Sequence, residues 1–324
     1  MGVVGRAVAS ARLVGAIVVG ALCVGSCSRI DVPASLPAPT STTTTLPSQS
    51  PPPPECGNPA AGLRPTGPAG PEVPPGSYMA EVQARGRLRV GVDVRTLRMS
   101  ARNPLTGEIE GFDVDIAREI AAALFGDRDA VELVGIPGGS RADVLVKGRV
   151  DVVASTFSIT CERLEEIAFS TEYYHSGRRV LVRRGDPARS LDDLDGRRVC
   201  ATAGSTALQD LVDLPPPGPI PVPVVERGDC LLLIQQGRAD AAATNDTILA
   251  GWVAQDPNLE IVGPAFTFEP TGLGLPPGHD DWVRYVNAVL EDVSASGRWD
   301  EIYDRWLADL LGPSPGPPAP AYRD

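Results

Sequence analysis

The sequence predicts an α/β protein of two lobes, and three observations predict it. From about residue 88 onward, short β-branched runs alternate with helical stretches, which implies a sheet rich in parallel strands with helices packed on it. After a run at residues 179–183 the alternation restarts, so the chain builds a second, smaller unit of the same kind. Extended runs at 267–269 and 272–275, followed by two helices, then read as a return to the first unit. The 324 residues suffice for two modest domains, and a 43% hydrophobic content can build a core for each.

In the first lobe, residues 88–92 read as a strand ending at Asp93, followed by a loop carrying Arg95, Arg98 and Arg102. Residues 103–108 have the composition of a hairpin turn. Gly111 and Phe112 lead into a helix with Asp113 as its N-cap, and Phe112, Ile116, Ile120, Ala123 and Leu124 share one helical face. Residues 131–134 are a second strand, 141–148 a short helix closed by glycine, and 150–154 a third strand. The stretch Ser155-Thr156-Phe157-Ser158-Ile159-Thr160-Cys161-Glu162-Arg163 then sets hydroxyl groups and one arginine at a strand end and a helix start. Backbone N–H groups and the helix dipole favour a small anion there, and arginine grips a carboxylate with two parallel hydrogen bonds. Asp93, Arg95 and Ser155–Ser158 all fall at carboxyl ends of strands, where open α/β sheets bind their ligands.

In the second lobe, 190–194 is a short helix and 198–201 a strand. Ala203-Gly204-Ser205-Thr206-Ala207 is a turn into a helix, again with an anion-friendly start. Residues 222–225 are extended, 230–236 are helical up to Gly237, and 239–243 form a strand ending at Thr244-Asn245-Asp246. Trp282, Tyr285, Val286 and Val289 mark one face of a helix near 281–294, and Ile302, Trp306 and Leu310 mark a closing helix.

A net charge of −12 argues against nucleic acid as a partner. His175 and His279 are the only histidines and stand far apart, so no zinc or iron centre and no cofactor is expected. Arg6 and Arg12 flank the start of an apolar run through residue 22, too short to span a membrane comfortably, which ends in Val24-Gly25-Ser26-Cys27. That ending resembles a bacterial lipobox, so residues 1–26 read as a lipoprotein signal peptide and Cys27 as the lipidated mature N-terminus. Residues 27–76 are a Pro/Thr-rich disordered tether and 312–324 a loose Pro-rich tail. Four cysteines remain in this exported chain, an even number that suggests two disulfides with three connectivities open. Cys200–Cys230 is the first choice, because both fall in one lobe, which leaves Cys56–Cys161 to staple the tether beside the anion-friendly loop.

The order of motifs resembles the bacterial extracellular solute-binding proteins of family 3, which serve polar amino acids with ABC importers. Five stretches over roughly residues 80–311 carry the likeness. They are Gly111-Phe112-Asp113-Val114-Asp115-Ile116-Ala117; Ile159-Thr160-Cys161-Glu162-Arg163 with Phe169-Ser170 and Tyr173-Tyr174; Leu191-Asp192-Asp193-Leu194-Asp195-Gly196 with Ala203-Gly204-Ser205-Thr206; Gly237-Arg238-Ala239-Asp240-Ala241 with Asn245-Asp246; and Gly297-Arg298-Trp299 through Leu307. The resemblance implies a type II periplasmic-binding-protein fold, with two α/β lobes joined by a two-strand hinge. Residues 77–182 and 264–311 would form lobe 1, and 183–263 lobe 2.

By that resemblance Arg163 holds a ligand α-carboxylate with Ser158, and Thr156 offers an oxygen to the α-ammonium. Ser205 and Thr206 reach in from lobe 2. Asn245 stands where the family usually has an ammonium-binding aspartate, and its neighbour Asp246 supplies that charge instead. Thr96 and Gly138 fall where glutamine binders place aromatic rings, so that sandwich is absent. Ser140-Arg141-Ala142-Asp143 resembles the glutamate/aspartate branch, where the arginine reads the side-chain carboxylate, and Arg95 adds a second positive charge. The expected function is therefore a monomeric, lipid-anchored binding protein on the extracytoplasmic face. It would close on an acidic amino acid, with asparagine or glutamine next, and present it to an ABC permease. A receptor that reports the ligand to a membrane sensor would have the same sequence features. An enzyme of the cyclohexadienyl-dehydratase type would need a positioned acid–base pair. Asp93, Asp246 and Glu162 come without partners for that work, so catalysis is not expected.

Overall fold

Two long strands carry the architecture: residues Ala168–Arg183 and Leu259–Leu275 pair antiparallel and each belongs to both lobes. The sequence shows each only in part, as the runs at 179–183, 267–269 and 272–275, because the rest of each strand is polar or broken by Gly and Pro. The structure, a computed structural model, describes residues 55–324. The expected signal peptide, the expected lipidation site Cys27 and the expected tether up to residue 54 lie outside the described residues.

In chain order the first lobe comprises α1 (Tyr78–Arg85), β1 (Leu88–Val92), α2 (Phe112–Phe125), β2 (Val131–Gly135), α3 (Arg141–Val146), β3 (Val152–Val153), α4 (Cys161–Leu164) and the start of β4 (Ala168–Arg183). The second comprises the end of β4, β5 (Arg198–Thr202), α5 (Thr206–Asp213), β6 (Ile220–Val224), α6 (Asp229–Gln235), β7 (Ala241–Asn245) and α7 (Asp246–Gln255). Strand β8 (Leu259–Leu275) leads back, and α8 (Asp280–Ala295) and α9 (Arg298–Trp306) close the first lobe. The strands form one sheet in the order β6-β5-β7-β4-β8-β3-β1-β2. Within each lobe the pairs β1–β2, β1–β3, β5–β6 and β5–β7 are parallel, as the alternating pattern requires. The register between β4 and β8 shifts between Val262 and Thr267, opposite Val180 and Arg178. This irregular step joins the two lobes.

Side-chain alternation along β4 assigns the end of that strand to lobe 2. Val180 and Val182 pack with Val199, Ala201, Ala241 and Ala243 on the face covered by Leu208 and Leu211 of α5. Leu181 packs with Cys200, Ala242 and Trp252 on the other face. Lobe 2 therefore begins a few residues before the expected boundary at 183. The Cys200–Cys230 disulfide ties β5 to α6 within it. Lobe 1 is centred on Phe112, Trp282 and Trp299, all essentially buried, each contributing about 1.5–3 kcal/mol or more. Their polar edges are answered: Trp282 Nε1 donates to the Asp151 carbonyl (3.0 Å) and Trp299 Nε1 to the Tyr173 carbonyl (2.7 Å). Gly111 starts α2 at φ 144°, where a Cβ would lie 2.3 Å from the Met99 carbonyl, so only glycine admits this approach.

The last part of the expected tether and the expected loose tail are ordered on lobe 1. Ala61–Gly62 pairs in parallel with Ala321–Tyr322. Buried Asn287 of α8 donates to the Leu63 carbonyl (2.7 Å) and accepts from the Thr171 backbone (2.8 Å), fastening this segment to β4. Tyr285 donates to the Gly70 carbonyl, and Asp324 joins Arg284. Proline-rich composition weakens core formation, but it leaves carbonyls free to accept from side chains of a neighbouring helix, and that docking is invisible to composition. The Cys56–Cys161 disulfide pins the same segment to the first residue of α4.

Candidate functional site

The site is built around the turn that follows β3. Thr156 there has φ 42°, a left-handed conformation unfavourable for a β-branched residue. Asp113 holds it: one carboxylate oxygen accepts from the Thr156 backbone N–H (2.9 Å) and the other from the Tyr173 hydroxyl (2.6 Å). Asp113 is thus not the N-cap expected from sequence. It lies inside α2, after the cap at Gly111, and positions the ligand loop instead. The turn aims the carbonyls of Ser155 and Thr156 at Arg141 Nη1, both at 3.2 Å, while Arg141 Nε donates to the Gly138 carbonyl (2.7 Å). Arg141 is buried rather than displayed on the surface of α3, and its guanidinium lies 4.3 Å from the ring centroid of Phe157.

Arg163, in α4, lies 4.8 Å from the same ring. Its Nη1 donates to the Ser158 carbonyl (2.6 Å) and its Nη2 reaches the Gly204 carbonyl of lobe 2 at 3.5 Å. Thr160 caps α4 through its hydroxyl. Burial lowers the pKa of both Arg141 and Arg163, and for Arg141 the neighbouring Arg163 and Arg227 add repulsion. Among the described residues no carboxylate lies within salt-bridge distance of either guanidinium. Such a pair of desolvated cations is an environment that an incoming anion relieves.

Lobe 2 supplies the opposite wall. Ser205 caps α5 and Thr206 begins it, and both line the cleft with Thr202, Thr244 and Asn245. Arg141, Thr156 and Ser158 line the same cleft from the lobe 1 side. Asn245 is the N-cap residue of α7, yet its side chain makes no capping bond, which leaves it facing the cleft. Asp246 points elsewhere, contrary to the expectation that it answers an ammonium group. Its carboxylate accepts from Ser176 Oγ and the Gly177 N–H of β4, both at 3.3 Å, and from its own helix at Thr247. Successive residues of a helix are turned by about 100°, and at the start of α7 that rotation carries Asp246 toward β4 while Asn245 stays on the cleft side. Arg95 is also not in the cleft: it is exposed and pairs with Glu226 of lobe 2 across the rim. Asp93 is buried, with one oxygen accepting from the Arg95 N–H (3.0 Å).

Two charged residues were missed in the sequence. Arg227, in the loop before α6, crosses from lobe 2 to donate to the hydroxyls of Thr96 (2.8 Å) and Thr156 (3.1 Å), and it lies 3.6 Å from Asp93. No periodicity marks a loop arginine, so nothing local distinguishes it from a solvated charge. Glu269 of β8 accepts from Ser158 Oγ of lobe 1 (2.6 Å) and Thr206 Oγ1 of lobe 2 (3.0 Å), and pairs with Arg178, which also pairs with Asp210. A charge inside an apolar return strand was the available signal for it.

Burial raises the Asp113 pKa to about 6, although its bonds from Tyr173 and Thr156 oppose the shift. The sign is that of a raised acid: between about pH 4 and 6 the folded chain keeps a proton that the unfolded chain has released. Stability therefore falls as pH rises through that window. Urea unfolding at pH 5 should exceed that at pH 7 by about 1 kcal/mol from this group, and Asp113→Asn should shrink the difference.

Two lobes that share a two-strand connection, and that touch across a cleft lined by guanidiniums and hydroxyls, define a ligand-closing binding protein. The comparisons assign the family. The model for bacterial extracellular solute-binding proteins, family 3, matches residues 88–309, more than half the chain, and the protein belongs to that family. The chain is 31% identical to the ABC transporter glutamine-binding protein GlnH of Bacillus subtilis over 71% of this chain and 85% of that one. It is 30% identical to the glutamate-binding protein GluB of Corynebacterium glutamicum over 72% of this chain and 81% of the other. Among solved structures, an ArgBP mutant from T. maritima superposes with a TM-score of 0.65 at 29% identity, covering 71% of this chain and 99% of that one. The fold is the type II periplasmic-binding-protein fold, as the motif order implied.

Proposed function

We propose that this protein captures an acidic amino acid, glutamate or aspartate, with asparagine or glutamine next, and presents it to an ABC importer outside the cytoplasmic membrane. The observation that carries the reading is Arg141, a buried guanidinium lining the cleft with no carboxylate within salt-bridge distance among the described residues. In this reading Arg141 takes the side-chain carboxylate, and Arg163 with Ser158 takes the α-carboxylate. Ser205, Thr206 and Asn245 close from lobe 2, so that occupancy becomes a shape a membrane partner can read. Relatives named for glutamine and glutamate binding support an amino-acid ligand. The lipobox-like ending at Cys27 supports a lipid anchor holding the protein at the membrane surface.

Calorimetric titration with the twenty amino acids tests the reading. Glutamate or aspartate should bind most tightly, and arginine and lysine should give no heat beyond dilution. Tight binding of a cationic amino acid with none of an acidic one would refute it.

A further inference from the structure

Resting on that reading of an acidic ligand, we propose that the cleft recognises a pair of carboxylates and makes no demand for an α-ammonium group. Its ligand class then extends to dicarboxylates that lack the amine.

No carboxylate is among the groups that line the cleft. The polar lining consists of the guanidiniums of Arg141 and Arg227, hydroxyl groups and the amide of Asn245. An ammonium brought out of water requires acceptors, and the strong ones are anionic. The nearest carboxylates are already committed. Asp113 is fully buried behind the ligand turn and outside the cleft lining, its oxygens accepting from the Thr156 N–H and the Tyr173 hydroxyl. Both oxygens of Glu269 are taken, one by Arg178 and the other by the hydroxyls of Ser158 and Thr206. Asp93 accepts from the Arg95 N–H and faces Arg227. Asp246, the remaining candidate, is turned toward Ser176 and Gly177 in the hinge strand. What stands in the cleft at that corner is Asn245, which offers a single neutral carbonyl oxygen.

The opposite end adds positive charge. Thr96 and Gly138 carry small side chains or none, and Arg227 fills the space between them. Its Nη1 bonds Thr96, and its Nη2 lies 3.7 Å from where a Cβ on Gly138 would stand. A ligand amine would therefore enter a pocket lined by the Arg141 guanidinium, by Arg227 already paired with Asp93, and by no carboxylate.

The test is calorimetric titration of the full-length protein in detergent with glutamate, glutarate, aspartate and succinate, at pH 7 and one salt concentration. Glutarate is expected within about tenfold of glutamate, and succinate within about tenfold of aspartate. If the amino acids bind more than tenfold tighter than their desamino partners, the proposal fails while the acidic-ligand reading stands. If none of the four binds, that reading fails and takes the proposal with it. Asn245→Asp supplies the missing carboxylate at a position where aspartate is an equally good helix cap. It should raise the glutamate-to-glutarate affinity ratio by about tenfold or more. An unchanged ratio would overturn the assignment of Asn245 as the ammonium-indifferent corner.

Discussion

Arg163→Ala should weaken ligand binding by at least about a hundredfold, or roughly 3 kcal/mol, while leaving the fold intact. The residue has two duties in the proposed mechanism. Its guanidinium answers the main-chain carboxylate, where charge-assisted hydrogen bonds are worth about 1.5–3 kcal/mol each. It also spans the cleft, from the Ser158 carbonyl on lobe 1 to the Gly204 carbonyl at the start of α5. Removing it takes away an anion site and a lobe-to-lobe contact together. Arg163→Lys keeps the charge but cannot hold the Ser158 carbonyl and a bidentate carboxylate at once, so it should recover only part of the affinity. Because Arg163 is part of no salt bridge among the described residues, its loss should shift the thermal midpoint little. Titration calorimetry beside a thermal melt separates the two effects. Unchanged affinity in Arg163→Ala would remove Arg163 from the site altogether.

How much of this was legible depends on how far each interaction reaches along the chain. The parallel strands of each lobe were readable, because their β-branched runs and the helices between them are local patterns. The Cys200–Cys230 and Cys56–Cys161 pairings agree with the first choice made from sequence, which rested on Cys200 and Cys230 falling in one lobe. The hydroxyl-rich turn at Ser155–Ser158 and the helix starts near Cys161 and Thr206 were visible because helix starts are written in adjacent residues. What was not legible is orientation and reach. Asn245 and Asp246 are neighbours, and only the geometry of the α7 start determines which one faces the ligand. Arg227 lies 131 residues from Thr96 in sequence, and its hydrogen bond to Thr96 exists only when the lobes meet. Asp113 looked like a helix cap because Asp near a helix start usually is one, but burial against Tyr173 redirected it to the ligand loop. The docked tail escaped notice because its hydrogen bonds come from α8 side chains rather than from its own pattern.

The largest loss of stability is expected at a residue that touches no ligand. Asp151 opens β3 and is fully buried, yet it is the hub of lobe 1. One of its oxygens accepts from the Tyr78 hydroxyl (2.9 Å), from Arg85 (2.6 Å) and from Arg89 Nη2 (2.8 Å). The other accepts from the backbone and Nε of Arg89. The acid thereby joins α1 and β1 to β3, three elements that the chain brings together from positions 78, 89 and 151. Burial alone would raise its pKa, but the side-chain and backbone bonds from Arg89 outweigh that and hold it below the ordinary aspartate range. A depressed acid contributes stability that is present above the unfolded-state pKa near 4 and is lost as pH falls further through the folded-state value. Asp151→Ala strands a buried phenol and two arginines at once, so it should cost about 3–5 kcal/mol, a large share of the 5–15 kcal/mol typical of a folded domain. Asp151→Asn keeps the shape but can accept with only one oxygen, so its loss should be smaller. Urea unfolding with the slope held in common reads both values. A loss below about 1 kcal/mol for the alanine variant would mean that Arg85 and Arg89 find water as readily as they find Asp151, and that lobe 1 is held by its apolar core alone.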